Sequence, residues 1–173
     1  MSTNYKGWQK LFLLCLGLFT GTAFCMKWME GDLVQNGQPF TIIGLEISYP
    51  KEKVASILAG LDEHIRTVLS YHLNFDFAFM AGVYPGIAAL CMMAREKSSN
   101  SILRKTLFAL ALLQAVAFGC DIAENCYLLG WMKTPVINNE FALYHFIVAA
   151  KWIIALTAAL IAIPLAFRKR KTM

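Results

Sequence analysis

The sequence predicts an all-α protein, a four-helix transmembrane bundle that forms a single membrane domain over residues 1–173. Hydrophobic residues make up 58% of the chain and charged residues only 16%, a balance too apolar for an ordinary soluble domain. Four long apolar segments account for this excess, and each approaches the ~20 residues that cross ~30 Å of hydrocarbon. The spans are expected at about residues 11–26, 73–94, 106–129 and 141–167.

The first apolar segment follows two basic residues, Lys6 and Lys10, and lies between Trp8 and Trp28. Tryptophan is enriched at membrane interfaces, so this arrangement predicts a span that is retained. A cleaved signal peptide is the alternative, because a basic start followed by a short apolar core also describes an export signal.

Residues 29–72 form the only sizeable segment predicted to lie outside the membrane, on the extracytoplasmic side. Asn36, Gly37 and Pro39 indicate turns in its first part. Residues 40–49 are apolar and β-branched enough to predict a short extended stretch or one that lies against the bilayer.

An amphipathic helix is predicted from Lys51 to Leu69, where apolar residues recur at a spacing of 3.6. Ser48 is expected to cap its start and Pro50 to occupy its first turn. The helix is expected to run nearly straight into the second span, in which Pro85 predicts a kink near the middle of the membrane.

Short connections determine which spans are neighbours. The linker of residues 95–105 makes the second and third spans antiparallel neighbours, and residues 133–140, which contain Pro135, do the same for the third and fourth. Gly82, Gly86 and Gly119 are small residues of the kind that allow spans to pack closely.

Lysine and arginine cluster before the first span, between the second and third, and after the fourth, at residues 168–171. An even number of crossings places all three groups on one side, and basic short loops stay cytoplasmic. The sequence therefore predicts a multi-pass protein of the plasma (inner) membrane with cytoplasmic termini. The net charge of +5 requires no nucleic-acid partner, because anionic lipid headgroups account for basic residues at these positions.

Polar residues inside the spans are the candidates for function. Asp121, Glu124 and Asn125 are spaced i, i+3, i+4 and share one helical face, with Gln114 one heptad earlier. At ~1.5 Å per residue, Asp76, Asp121 and His145 fall roughly 5 Å below the outer edge of the hydrocarbon. Further candidates are Tyr84 and Lys151, which fall near the midplane.

Ionisable residues in a span cost at least ~2.5 to 3.5 kcal/mol each, which favours one interior cluster over separate lipid-facing residues. Lys151 can extend ~6 Å outward, toward Asp121 or Asp76. The main hypothesis is therefore an outer-leaflet polar pocket that binds an ion or an amphiphile with its lipid headgroup. Asp121, Glu124, Asp76 and Lys151 would carry any chemistry, and Tyr84, Asn125, Gln114 and His145 would bind the ligand.

Two alternatives stay open. In the first, His72, Asp76, His145 and Asp121 hold a divalent metal, and the protein is a metal-dependent hydrolase acting on lipid. In the second, the polar residues only hold the helices together in a structural or partner-binding subunit, as a homo-oligomer or with another protein. No GxSxG, HExxH, P-loop or dinucleotide fingerprint occurs, so nothing in the sequence supports cofactor-dependent chemistry.

Four short motifs resemble those of a group of small bacterial four-span membrane proteins. They are LEISYPKEKVASIL before the second span, NFDFAFMAGVYP at its start, CDIAENCYLL in the third span and AAKW in the fourth, between Leu45 and Trp152. The resemblance implies the four-helix fold and matches Asp76, Tyr84, Asp121, Glu124, Asn125 and Lys151 to motif positions, but it implies no reaction. This chain departs from the group's Tyr-Gly at Tyr84-Pro85, which affects the expected local helix geometry.

Overall fold

Four long helices dominate the structure, a computed structural model that describes residues 3–168. They are α1 (Thr3–Met29), α3 (Glu63–Lys97), α4 (Ser101–Lys133) and α5 (Glu140–Phe167), and a short helix, α2 (Lys51–Ala59), precedes α3. All four long helices are long and apolar enough to cross a membrane, which confirms the predicted helical class. The basic residues at 169–171 lie outside the described residues.

Helix α3 is the centre of the bundle, because it packs against α1, α4 and α5. α4 packs against both α3 and α5, so the neighbours that the short connections predict are present. Asn100 caps the start of α4, since its side chain accepts a hydrogen bond of 3.1 Å from the Leu103 amide. α3 continues as one helix through Pro85.

α1 approaches α3 closely at Gly82. A Cβ at this position would lie 2.7 Å from the backbone nitrogen of Phe19 and 3.0 Å from the carbonyl oxygen of Cys15. Gly86, one turn later, would bring a Cβ to 3.2 Å from the Cys15 Cβ. The packing role expected for Gly119 is wrong, because that residue faces open space.

Residues 30–62, which we call the cap, fold onto one end of the bundle. The strands β1 (Val34–Gln35) and β2 (Gln38–Pro39) pair antiparallel, and the turn between them has positive φ at Asn36 and Gly37, as the Asn-Gly pair favours. Apolar residues of the cap share a core with the ends of α3, α4 and α5; they are Leu33, Phe40, Ile42, Leu45, Val54, Ile57, Leu58 and Leu61.

The cap differs from the sequence-based predictions in two places. Residues 44–48 form a single π-helical turn, Gly44–Ser48, so the extended stretch, one of the two alternatives predicted for residues 40–49, is wrong there. The predicted cap at Ser48 is also wrong, because Pro50 occupies the N-cap position of α2. Pro50 therefore lies just before the first turn of that helix and not within it. The tight turn exists because the Tyr49 amide donates to the Gly44 carbonyl at 2.8 Å, and the Tyr49 ring lies where a Cβ at Gly44 would be.

The single amphipathic helix predicted from Lys51 to Leu69 is divided in two. Gly60 ends α2, with its amide bonded to the carbonyls of Ser56 and Ile57. Asp62 then starts α3, since its carboxylate accepts a hydrogen bond of 2.8 Å from the Ile65 amide. The periodicity survives this break because both pieces bury the same apolar side, and the second piece does run directly into the second long helix.

Candidate functional site

Lys151 lies inside the bundle on α5 and is surrounded by acidic groups. Its ammonium nitrogen is 2.6 Å from Asp121 Oδ1 and 2.6 Å from Glu124 Oε2, both on α4. A third carboxylate oxygen, Glu46 Oε2 of the cap, lies 3.6 Å away. These four residues, which we call the carboxylate–lysine cluster, bring together two helices and the cap.

The spacing of the α4 residues explains the first two contacts. Asp121 and Glu124 are three positions apart, so one helical face presents both carboxylates to α5. The long Lys151 side chain extends to both carboxylates, and its aliphatic part is buried.

Tyr84 connects α3 to the cluster. Its hydroxyl donates to Asp121 Oδ2 at 2.7 Å, so the two oxygens of Asp121 are bound by Tyr84 and Lys151 respectively. A carboxylate held by a hydroxyl and an ammonium from two different helices has a defined position and orientation.

Asp76 lies next to the cluster, also on α3, and is bound by Asn125. The Asn125 amide donates to Asp76 Oδ2 at 2.7 Å and to the Leu73 carbonyl at 3.3 Å. Asp76 is close enough to Asp121 and Lys151 to interact with them electrostatically. Asn125 is four positions after Asp121, so the same face of α4 carries the Asp121 carboxylate and the amide that binds Asp76 of α3.

Glu46 reaches the cluster because the π-helical turn that carries it is fastened to the bundle. The Tyr144 hydroxyl of α5 donates to the Leu45 carbonyl at 3.3 Å, one residue before Glu46. On the other side of the turn, the Gly44 amide donates to Thr41 Oγ1 at 2.9 Å. Only 8% of Glu46 is exposed.

Burial raises the pKa of Glu46 above its ordinary value. The positive charge of Lys151 opposes this shift, and the negative charge of Asp121 adds to it. Glu46 also interacts with Glu124 and Trp152, so residues of both α4 and α5 contribute to the electrostatics of this carboxyl group.

Acidic groups outnumber basic ones in this region. Four carboxylates, those of Glu46, Asp76, Asp121 and Glu124, surround the single ammonium of Lys151, a formal excess of three negative charges if all are ionised. All five residues are at most 9% exposed. Glu124 is fully buried, and its Oε1 atom has no hydrogen-bond partner within residues 3–168.

Aromatic side chains border the cluster. The Lys151 nitrogen is 5.7 Å from the centroid of the Trp152 ring. Tyr144 interacts electrostatically with Glu46, Asp121 and Glu124, and its ring packs against Trp131 at a centroid distance of 4.9 Å. The buried indole nitrogen of Trp152 has no well-aligned hydrogen-bond partner in the described part of the chain.

Three predicted site residues lie apart from these contacts. Gln114 donates to the Leu110 carbonyl of its own helix at 3.1 Å. His145 packs against Phe141 with ring centroids 4.5 Å apart. His72 is buried on α3, and its Nδ1 atom has no hydrogen-bond partner in the part of the chain that the structure describes.

The predicted metal ligands are not brought together. Among residues 3–168, no three His, Cys, Asp or Glu side chains are arranged to hold a metal ion. The ligand set of His72, Asp76, His145 and Asp121 therefore has no geometric support, since Asp76 and Asp121 instead bind Asn125, Tyr84 and Lys151.

Glu46 is the site residue that the sequence did not predict. Its signal in the sequence is weak, a single acid in the apolar run of residues 40–49. An isolated carboxylate among apolar residues of a segment outside the spans is ordinarily solvated, and only the docking of the cap buries it.

Comparisons with known proteins give no further guide to the site. No protein-family model, curated protein or solved structure matches this chain.

Proposed function

We propose that this is an integral protein of the bacterial plasma membrane that binds a cationic ligand, an ion or the headgroup of an amphiphile, in the carboxylate–lysine cluster. The four apolar helices support the membrane assignment. Their outward surfaces carry large apolar side chains such as Leu14, Leu112 and Leu160, which suit contact with membrane lipid.

The observation that carries this proposal is the uncompensated negative charge. Three carboxylates share one ammonium at distances of 2.6, 2.6 and 3.6 Å, and Asp76 adds a fourth acid nearby. Buried carboxylates without compensation each cost several kcal/mol, so the region favours binding of positive charge. A proton is the simplest such charge, and a cation in contact with the same oxygens is the alternative.

The expected orientation places the cap outside the cytoplasm. Lys6, Lys10, Arg104 and Lys105 lie at the end of the bundle opposite the cap, and basic residues favour the cytoplasmic side. The cluster is then reached from the outer half of the membrane, through or beneath the cap.

Thermal unfolding of the purified protein in a neutral detergent tests the proposal. We expect the melting temperature to rise when the pH is lowered or when a cationic additive is present, and not with a neutral or anionic additive of matched size. Glu124→Gln should weaken this response because it removes a fully buried acceptor. Glu52→Gln is the matched control, since Glu52 is exposed on α2.

A melting temperature that responds to neither pH nor any cation would contradict the proposal. In that case the polar residues would only hold the helices together, and Glu124→Gln would change the melting temperature equally in every condition.

A further inference from the structure

We infer that Glu46 and Glu124 form a second ammonium position beside that of Lys151, and that the ligand is an organic amine that binds there as a primary ammonium group. This inference rests on the proposed function, because it names the class of cation that the cluster takes.

The Lys151 ammonium does not satisfy all of the carboxylate oxygens around it. An ammonium group has three N–H donors, of which one is donated to Asp121 Oδ1 at 2.6 Å, and Glu124 Oε2 lies in ion-pair contact at the same distance. Glu46 Oε2, at 3.6 Å, is too far away for a good hydrogen bond. Glu46 is therefore only partly neutralised, and Glu124 Oε1 is buried without a partner in residues 3–168.

The two acceptors belong to neighbouring side chains. Glu46 and Glu124 interact directly, and both contact the Lys151 ammonium. A second ammonium between them would receive one oxygen from each residue, in the same way that Lys151 already receives oxygens from Asp121 and Glu124. Lys151 thus shows what kind of group these carboxylates accept.

The surroundings favour an organic cation over a metal ion. Tyr144 and Trp152 place aromatic rings next to the acids, and carboxylates combined with aromatic faces recognise organic ammonium groups. Metal coordination requires three or more ligands at short distances, and the described residues contain no such group. One added ammonium would also lower the formal excess of negative charge from three to two.

The amine can reach the site either from the lipid bilayer or from the surrounding water. An amphiphilic amine would arrive from the bilayer and a small soluble amine from water. The chemistry recognised by Glu46 and Glu124 is the same in both cases, and the chain length of the probe separates them.

Binding of defined amines to the purified full-length protein in a neutral detergent tests the inference. The amphiphilic probes are dodecylamine, dodecyltrimethylammonium and dodecanol, and the soluble probes are butylamine and tetramethylammonium. We expect one or both primary amines to bind and to raise the melting temperature with increasing concentration, with no comparable effect from the quaternary or neutral probes. Preference for dodecylamine indicates a ligand from the bilayer, and equal binding of butylamine indicates a soluble one.

Glu46→Gln should weaken binding of the primary amine at least tenfold, or about 1.4 kcal/mol, while Glu52→Gln leaves it unchanged. If Glu46→Gln does not fold, Glu46→Asp is tested instead. Aspartate keeps the negative charge, but its side chain is one methylene shorter, so the carboxylate lies farther from the proposed ammonium position. That variant should bind the amine measurably more weakly than the unmodified protein.

Equal effects of the primary and quaternary amines would overturn the inference. So would unchanged amine binding in both Glu46 variants. Stabilisation by acid alone, with no response to any amine, would overturn the inference and leave the proposed function standing with the proton as its cation.

Discussion

Lys151 is the residue on which the charge balance of the bundle depends. It provides the only ammonium among the buried charged residues described by the structure, and three carboxylates lie within 3.6 Å of it. Removing one partner of a buried ion pair is costly because the other charge stays buried without compensation. The contribution of Lys151 to stability can therefore be measured without any ligand.

We expect Lys151→Met to destabilise the protein by about 3 to 5 kcal/mol, measured by thermal or chemical unfolding in detergent. Adding Asp121→Asn should recover part of this loss, because it removes one of the carboxylates left without a counter-charge. A double variant no more stable than the single one would show that Asp121 and Lys151 are not energetically coupled.

Glu46 makes the stability of the protein depend on pH. Its pKa is raised by burial above the ordinary value of 4.5, so the folded protein holds this proton more tightly than the unfolded chain. The stabilisation that results is complete below pH 4.5 and is lost as the pH rises through the raised pKa. Lys151, which opposes the shift, and the acids Asp121, Glu124 and Asp76 face the same carboxyl group.

As the pH rises above 4.5, the melting temperature should therefore fall more steeply for the unmodified protein than for Glu46→Gln. A shallower slope will remain in the variant, because other buried carboxylates are still present. Identical slopes in the two proteins would contradict a raised pKa of Glu46 in the folded protein. Glu52→Gln should keep the full slope.

At the scale of elements, α1 approaches α3 closely at Gly82. Backbone atoms of Phe19 and Cys15 occupy the space that a Cβ would need, so α1 cannot give way by a side-chain rotation alone. Gly119 on α4 has no atom within 4 Å of its hypothetical Cβ. The two glycines are therefore a matched pair within long helices of one bundle.

Gly82→Ala should destabilise the protein by about 1 to 3 kcal/mol, as expected for overpacking against backbone. Gly119→Ala should be neutral or stabilising by up to about 1 kcal/mol, because alanine is the better helix former. Thermal unfolding of both variants in the same detergent compares them directly. Equal effects would mean that α1 does not pack against α3 as closely as the structure shows.

The π-helical turn, Gly44–Ser48, carries the one member of the carboxylate–lysine cluster that lies outside α4 and α5. It brings Glu46 to Lys151, and its carbonyl at Leu45 receives the Tyr144 hydroxyl. The cap thus contacts α5 through the backbone carbonyl of Leu45 and through the side chain of Glu46. Any movement of the cap away from the bundle would separate Glu46 from the other members of the cluster.

At the scale of the whole molecule, the polar groups have an uneven distribution along the helices. Apolar packing fills both ends of the bundle, while the carboxylate–lysine cluster lies about 17 Å along α5 from its first residue. Basic side chains at the end opposite the cap close helix termini, as Lys97 does by donating to the Ala166 carbonyl. The basic residues gathered at the end opposite the cap, among them Lys6, Lys10, Arg104 and Lys105, are the basis of the proposed orientation.

Cysteine labelling in intact cells tests this orientation. Gln38→Cys, in the exposed β-hairpin of the cap, should react with a membrane-impermeant thiol reagent, and Ser99→Cys, in the exposed α3–α4 connection, should react only after the cells are opened. The unmodified chain, which has five cysteines, gives the background labelling. The reverse pattern would place the cap in the cytoplasm.

The amino-acid sequence alone was sufficient for the long helices, their neighbours and part of the site. A span must be a long apolar helix because backbone polar groups cannot be left unpaired in hydrocarbon, so its length can be recognised in the sequence. Short linkers allow only adjacent helices to pack as neighbours, so these pairs can be recognised as well. The approach of Lys151 to Asp121 was predictable for the same reason, because charges buried in spans need partners. Helical rise was enough to bring the two residues within reach.

Only the tertiary structure revealed the role of Glu46, the break between α2 and α3, and the separate positions of His72, His145 and Gln114. Each depends on the relative orientation of the cap and the helices, and the periodicity of a sequence does not specify how one element is oriented against another. Glu46 is the clearest case, since an isolated carboxylate in an irregular segment is ordinarily solvated. It becomes part of the cluster because burial of the apolar residues of the cap carries it to Lys151.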